Sequence, residues 1–341
     1  MHLARKELLA HGVVYPGPGP RPRAAAAAGL GFDRMSPRDD DSAEAWHDLL
    51  RQVHAPEARR VCVSLEAFGR ASDEQAERIV HALGGPRPHV VSVARRYDQL
   101  MPSQWQQRVK TQLRLSYVDW LRLVLGDPAP DNEHWSNLWV PHDTVALLDR
   151  WAGIVGAENV TLIVADEADR LLLPRTFEQL LDLPPGLLTD RGGRANTSLT
   201  YGQAELLRRL NEVFFERGWE GRPYLELVRR GVVPALLATP PSPDDSKLPP
   251  LPPWAHTRLT ELSDRRIDGL AEQPVRILGD VELLRVPPAP EGDASTGGPG
   301  TVRLETAIAA LEGMAEAADK RQRRADGDVG KQASRQRRPS G

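Results

Sequence analysis

Arg95 and Ser103 stand eight residues apart in the stretch His89 to Lys110, HVVSVARRYDQLMPSQWQQRVK, and both are suited to holding an anion. A guanidinium at the carboxyl end of a parallel strand can grip a phosphate through two parallel N–H bonds. A serine at the start of the next helix can add a hydroxyl where backbone amides and the helix dipole already favour negative charge. The surrounding residues predict the elements this needs. HVVSVA is a short apolar run rich in β-branched residues, the pattern of a buried strand over 89 to 94. MPSQWQQRVK has helical character, and Pro102 at a first helical position predicts a helix over 102 to 115. Arg95 and Arg96 also read as surface arginines, and Ser103 as an ordinary helix-start residue.

The elements on either side follow from periodicity and caps. A short amphipathic helix is expected over 2 to 11, a second helix from Ser42 to about His54, and a buried strand over 60 to 65, RVCVSL. Ser72-Asp73-Glu74-Gln75 reads as a capping box with Gly84-Gly85 as the stop. Strand, helix, strand in this order favours a parallel crossover. Ser116 opens another helix, residues 126 to 141 read as a long loop carrying Trp135 and Trp139, and Leu147, Leu148, Trp151 and Ile154 mark a helix ended by Gly156. A third strand, Asn159 to Val164, a helix capped at Thr200, a helix from Trp254 to about Ala271 and a short strand from Val275 to Leu278 complete the expected globular part.

Composition narrows the function classes. The 341 residues are 40% hydrophobic, enough for a sizeable α/β core, and a formal net charge of -3 argues against general nucleic-acid binding. The one cysteine, Cys62, sits in the apolar run VCVSL and reads as a core residue. No His, Asp or Glu cluster has metal-ligand spacing, so no metal is expected. No apolar run reaches membrane-span length and the amino terminus does not read as a signal peptide, so a cytoplasmic location is expected. Residues 1 to 286 are expected to form one α/β domain. Residues 287 to 341 read as a mostly disordered basic tail with a possible helix over 301 to 320.

The stretch VVSVARRYDQLMPSQWQQRVK resembles a segment of the P-loop sulfotransferases, in particular the actinobacterial sulfotransferase-like proteins. That segment carries an arginine after a strand, a serine eight residues on and a P-S-x-W-Q-x-x-x-K helix. LLAHGVVYPG (8 to 17), VCVSLEAF (61 to 68), HDTVALLDRWAGIVGAENVTLIVAD (142 to 166) and RANTSLTYGQAELLRRLN (194 to 211) are similar to further segments in the same order, so the resemblance covers roughly Leu8 to Leu284. It implies a three-layer, P-loop-type parallel sheet flanked by helices. It implies a donor, 3′-phosphoadenosine 5′-phosphosulfate, and sulfonyl transfer to a hydroxyl or amine of a small-molecule, glycan or lipid acceptor. Arg95 and Ser103 would hold the donor's 3′-phosphate. Arg194, Asn196 and Ser198 would face its 3′-phosphate or adenine side, or form an ordinary loop before a helix. Glu66 would be a general base near the end of the second strand, or simply a carboxylate at a turn. His134, Trp135 and Trp139 would line the acceptor pocket, and Lys110 is expected on a solvated face.

The family's G-x-x-K-T-G-T-T loop, which cradles the 5′-phosphosulfate, has no counterpart. Lys6 is followed by Glu7-Leu8-Leu9, and GPGPRPR (17 to 23) places prolines where amides must donate. The expectation is a chain whose first strand and phosphate loop are missing and whose activity is impaired. The alternative is a non-catalytic nucleotide-binding or protein-interaction scaffold.

Overall fold

Among the described residues of a computed structural model of the protein there are five short strands, all paired in parallel, and twelve α-helices. The structure describes residues 1–17, 25, 29, 31, 39–55, 58–85, 88–126, 131–169, 171–188, 198–242, 245, 251–289 and 301–336. In chain order these are α1 (Arg5–Ala10), β1 (Val13–Val14), α2 (Asp39–Val53), β2 (Arg60–Val61), α3 (Asp73–Leu83), β3 (Val90–Ala94) and α4 (Tyr97–Val109). Then come α5 (Tyr117–Leu125), α6 (Glu133–Trp139), α7 (Thr144–Val155), β4 (Val160–Val164), α8 (Leu172–Leu180) and α9 (Tyr201–Glu216). A π-helical segment (Tyr224–Val232) leads into α10 (Val233–Ala238), followed by α11 (Pro253–Ala271), β5 (Arg276–Leu278) and α12 (Leu304–Gln336). The fold is therefore α/β with small parallel sheets, and none of the described helices is long and apolar enough to cross a membrane.

The chain divides into two units. One comprises Met1–Tyr97, Asp127–Gly193 and Thr257–Pro288; the other comprises Asp98–Gly126, Arg194–His256 and Ala289–Gly341. The first holds both sheets. β4 is the centre of a three-stranded sheet, paired with β3 from Val90↔Val160 to Ala94↔Val164 and with β5 from Thr161↔Arg276 to Ile163↔Leu278. All five residues of β4 are buried, which is why VTLIV runs apolar without strict alternation. Ile79 and Val80 of α3, Leu147, Leu148 and Trp151 of α7, and Ile267 and Leu270 of α11 pack with Leu162 and Val164 in one core cluster. β1 and β2 form a second, two-stranded sheet over Leu8, Val13 and Tyr15.

The second unit is helical. Trp105, fully buried, meets Tyr117 edge-on at 5.5 Å, and its indole N–H donates to the Leu115 carbonyl at 3.1 Å. Asn211 donates to the carbonyls of Val109 and Leu113, both at 2.8 Å, and accepts from the Tyr224 hydroxyl at 2.9 Å, so one buried amide holds the end of α4. α12 lies against the π-helical segment and α10. A side chain on Gly313 would meet the Ala235 methyl at 2.7 Å, so only glycine permits that approach.

Four expectations are corrected. The helix expected over 102 to 115 opens at Tyr97 and ends at Val109. Tyr97, Leu100, Met101 and Trp105 are all buried, and that stripe outweighs the one backbone bond lost at Pro102 inside the helix. Its end is set by Gln112, whose φ of 78° no right-handed helix accommodates. The long loop 126 to 141 contains α6, because the Asn132 side chain accepts from the Trp135 amide at 2.8 Å and caps a helix. The strand over 60 to 65 is paired only at Arg60 and Val61: its partner β1 is followed at once by Tyr15-Pro16, and proline cannot continue a ladder. The possible helix over 301 to 320 runs from Leu304 to Gln336.

At the amino end of the sheet, His89 shares a 2.8 Å hydrogen bond with the buried Thr161 hydroxyl. Burial, then the nearby charge of Arg276, pushes its imidazole below the usual histidine value. Because the folded value lies below the unfolded one, protonation favours the unfolded chain. The contribution of His89 is complete above about pH 6.5 and is lost as pH falls through the lower folded value. Denaturant unfolding followed across that window should show stability falling toward acid, and His89→Gln should flatten that part of the slope.

Candidate anion site at the carboxyl edge of the sheet

Parallel strands deliver their carboxyl ends to one edge, and in open α/β sheets that edge is where ligands bind. Here β3 delivers Arg95 and Arg96, β4 delivers Asp166 and Glu167, and β5 delivers Gly279 and Asp280. The last rung between β3 and β4 is the bond from the Ala165 amide to the Ala94 carbonyl, 2.9 Å. The next carbonyl, that of Arg95, lies past the ladder and before α4, so neither element's backbone pattern supplies it with a donor.

The donor comes from α11. Nη1 of Arg266 donates to the Arg95 carbonyl at 3.0 Å, and Nη2 donates to the Leu284 carbonyl at 3.0 Å. The guanidinium carbon lies 3.8 Å from the centre of the Tyr97 ring. Arg266 is 5% exposed, a cation placed in the core and fixed from three directions. Ser263, one turn earlier, is fully buried; its hydroxyl donates to the same Leu284 carbonyl at 2.8 Å and accepts from the Val286 amide at 3.2 Å. Tyr97 stands edge-on to Trp139 at 5.1 Å. Burial pushes its phenol above the ordinary tyrosine value, against the pull of the Arg266 charge.

The Arg95 side chain itself is exposed. Its Nη2 lies 3.7 Å from Oε1 of Glu167, too far for a hydrogen bond, with the two side chains 47% and 51% exposed. Solvent screens such a pair, so it contributes at most about 1 kcal/mol. The neighbouring carboxylates serve turns. Asp166 accepts from the Ala168 amide at 2.8 Å, Asp169 accepts from the Leu171 amide at 3.0 Å and pairs with Arg175, and Asp280 accepts from the Glu282 amide at 2.9 Å.

Ser103 belongs to the other unit, on the second turn of α4 rather than at its start, and is exposed. Three residues on, Gln106 is buried and forms a two-way clamp with Leu199: its amide donates to the Leu199 carbonyl at 2.9 Å and its oxygen accepts from the Leu199 amide at 3.2 Å. The clamp ties the residue next to the exposed Ser198 to the helix that carries Ser103. Arg194 and Asn196 lie outside the described residues. Glu66 is exposed at the start of a 3-10 turn, beyond the end of β2, where its charge partly offsets the desolvation of Arg70. No protein-family model, curated protein or solved structure matches the chain.

The remaining candidates are placed as follows. His134 and Trp135 are half-buried on α6, and Trp139 is buried against Tyr97. Lys110 is half-buried, and desolvation lowers its ammonium below the usual lysine range, so the face is not simply solvated. The Cys62 thiol is pushed up to about 11 by burial, the opposite of an activated nucleophile. Among the described residues no group of three His, Cys, Asp or Glu side chains could hold a metal ion.

Sequence reasoning missed Arg266, Ser263 and Glu167. A signal for the first two exists: on α11 the buried positions Leu259, Ser263, Arg266, Ile267 and Leu270 recur at helical spacing, so two polar residues interrupt an apolar stripe. Ser263→Ala leaves the buried Val286 amide without that acceptor and should cost about 1–2 kcal/mol in denaturant unfolding. A change below experimental error would show that the hydroxyl is replaceable.

Proposed function

We propose that the chain is a cytoplasmic sulfotransferase-like protein of P-loop-type architecture. Arg95 grips the 3′-phosphate of 3′-phosphoadenosine 5′-phosphosulfate, and Ser103 and Ser198 are assigned to the same donor by resemblance, as are Arg194 and Asn196. The observation that carries the proposal is the state of Arg95: its carbonyl is tied down while, among the described residues, its guanidinium makes only a long, half-exposed ion pair. A phosphate dianion offers this guanidinium two short charge-assisted bonds and so outcompetes a carboxylate 3.7 Å away.

In the proposed reaction an acceptor hydroxyl or amine attacks sulfur in line. The bond between sulfur and the bridging oxygen of the donor breaks, and adenosine 3′,5′-bisphosphate leaves with the electron pair. The acceptor proton passes to a base, assigned to Glu66. Catalysis of this kind rests on positioning and on stabilising charge at the nonbridging oxygens, as in phosphoryl transfer, and a chain without the 5′-phosphosulfate loop performs it in impaired form. The Glu167 carboxylate facing Arg95 is the observation that favours a non-catalytic scaffold, since an internal counter-ion needs no ligand to satisfy it.

Calorimetric titration with adenosine 3′,5′-bisphosphate separates donor binding from a protein-interaction scaffold. Binding that weakens tenfold or more in Arg95→Ala, about 1.4 kcal/mol or above, is expected. A wild-type chain that takes up none, or an Arg95→Ala chain that binds as well, is incompatible with a donor-binding role.

A further inference from the structure

We infer that Arg266 is the positioning residue of this anion site, acting through Arg95. The inference rests on Arg95 being the phosphate ligand, as proposed above.

The connection from β3 to α4 is two residues long, Arg95 and Arg96. In so short a link the direction taken by the Arg95 side chain follows from the plane of its own peptide. That plane would otherwise be loosely determined, because the sheet ladder ends one residue earlier and the helix begins two residues later. Arg266 removes this freedom by bonding the Arg95 carbonyl at 3.0 Å.

The guanidinium is itself immobilised, by the Leu284 carbonyl at 3.0 Å and the Tyr97 ring at 3.8 Å, and Tyr97 is the first residue of α4. One planar group therefore sets the end of the strand and the start of the helix together. Lysine offers neither the fork nor the stacking plane, so a conservative change of charge is not a conservative change of geometry. Simple filling of the core does not call for this residue. Leu259, Ile267 and Leu270 on the same stripe do that, and a guanidinium there carries a desolvation cost that a leucine would not.

The test uses the full chain and adenosine 3′,5′-bisphosphate, read by calorimetry and by the NMR line of the Arg95 Nε–H group. In the wild type the bisphosphate binds and the Arg95 line moves. In Arg266→Lys affinity falls tenfold or more, and the Arg95 line moves less at saturation. Leu270→Ala opens a cavity in the same core without touching Arg95; it lowers the melting temperature and leaves affinity within twofold.

Should circular dichroism show Arg266→Lys unfolded, Tyr97→Leu keeps the arginine but removes its stacking surface, and a loss of threefold or more is expected. Affinity within twofold of wild type in Arg266→Lys, or in Tyr97→Leu when it stands in, overturns the role. So does an equal loss in Leu270→Ala. A wild-type chain that does not bind the bisphosphate overturns the phosphate assignment of Arg95, and this role with it. Wild-type binding that survives Arg266→Lys overturns the role of Arg266 alone.

Discussion

A guanidinium placed in a protein core loses several kcal/mol of hydration, and only well-directed bonds offset that loss. Arg266 sits under this constraint at the junction of β3, α4 and the segment after β5. Its two forked nitrogens take carbonyls that lie outside the regular ladders, and its plane rests on Tyr97. Removing it would take from the Arg95 carbonyl this donor, leave the Leu284 carbonyl to the Ser263 hydroxyl, and strip the Tyr97 ring of its cationic cover. The geometry of the sheet's carboxyl edge, including the direction in which Arg95 leaves the backbone, depends on that one side chain.

A similar device recurs in the helical unit. Gln106 meets Leu199 through both ends of its amide, and Asn211 takes the carbonyls of Val109 and Leu113 while accepting from Tyr224. In each case a polar side chain buried among apolar neighbours satisfies backbone groups at the end of an element or in a loop. Such bonds are directional where hydrophobic contact is not, so they fix orientation at the places where exposed polar residues emerge: Arg95 in one unit, Ser103 and Ser198 in the other.

What could be read from the sequence was what is local. The capping boxes at Ser72 and Thr200 are both formed, because a cap needs only a residue and its neighbour three positions on. β3 and β4 appear where their β-branched runs place them, and Arg95 stands at the strand end as expected. The start of α4 was misplaced because Pro102 is a strong local signal, while the stripe that overrides it draws on packing partners distant in sequence. β1 was invisible because two residues show no alternation. Glu167 and Arg266 lie 72 and 171 residues from Arg95 in the chain, and no periodicity links a strand end to an arginine on a helix so far away. Only the fold brings those groups to one edge.

The most direct test is a crystal structure of the full chain with adenosine 3′,5′-bisphosphate. The account predicts the 3′-phosphate within hydrogen-bonding distance of the Arg95 guanidinium at the carboxyl end of β3, Glu167 displaced from it, and the Arg266 bond to the Arg95 carbonyl unchanged. Bisphosphate bound elsewhere while Arg95 still faces Glu167 would contradict it.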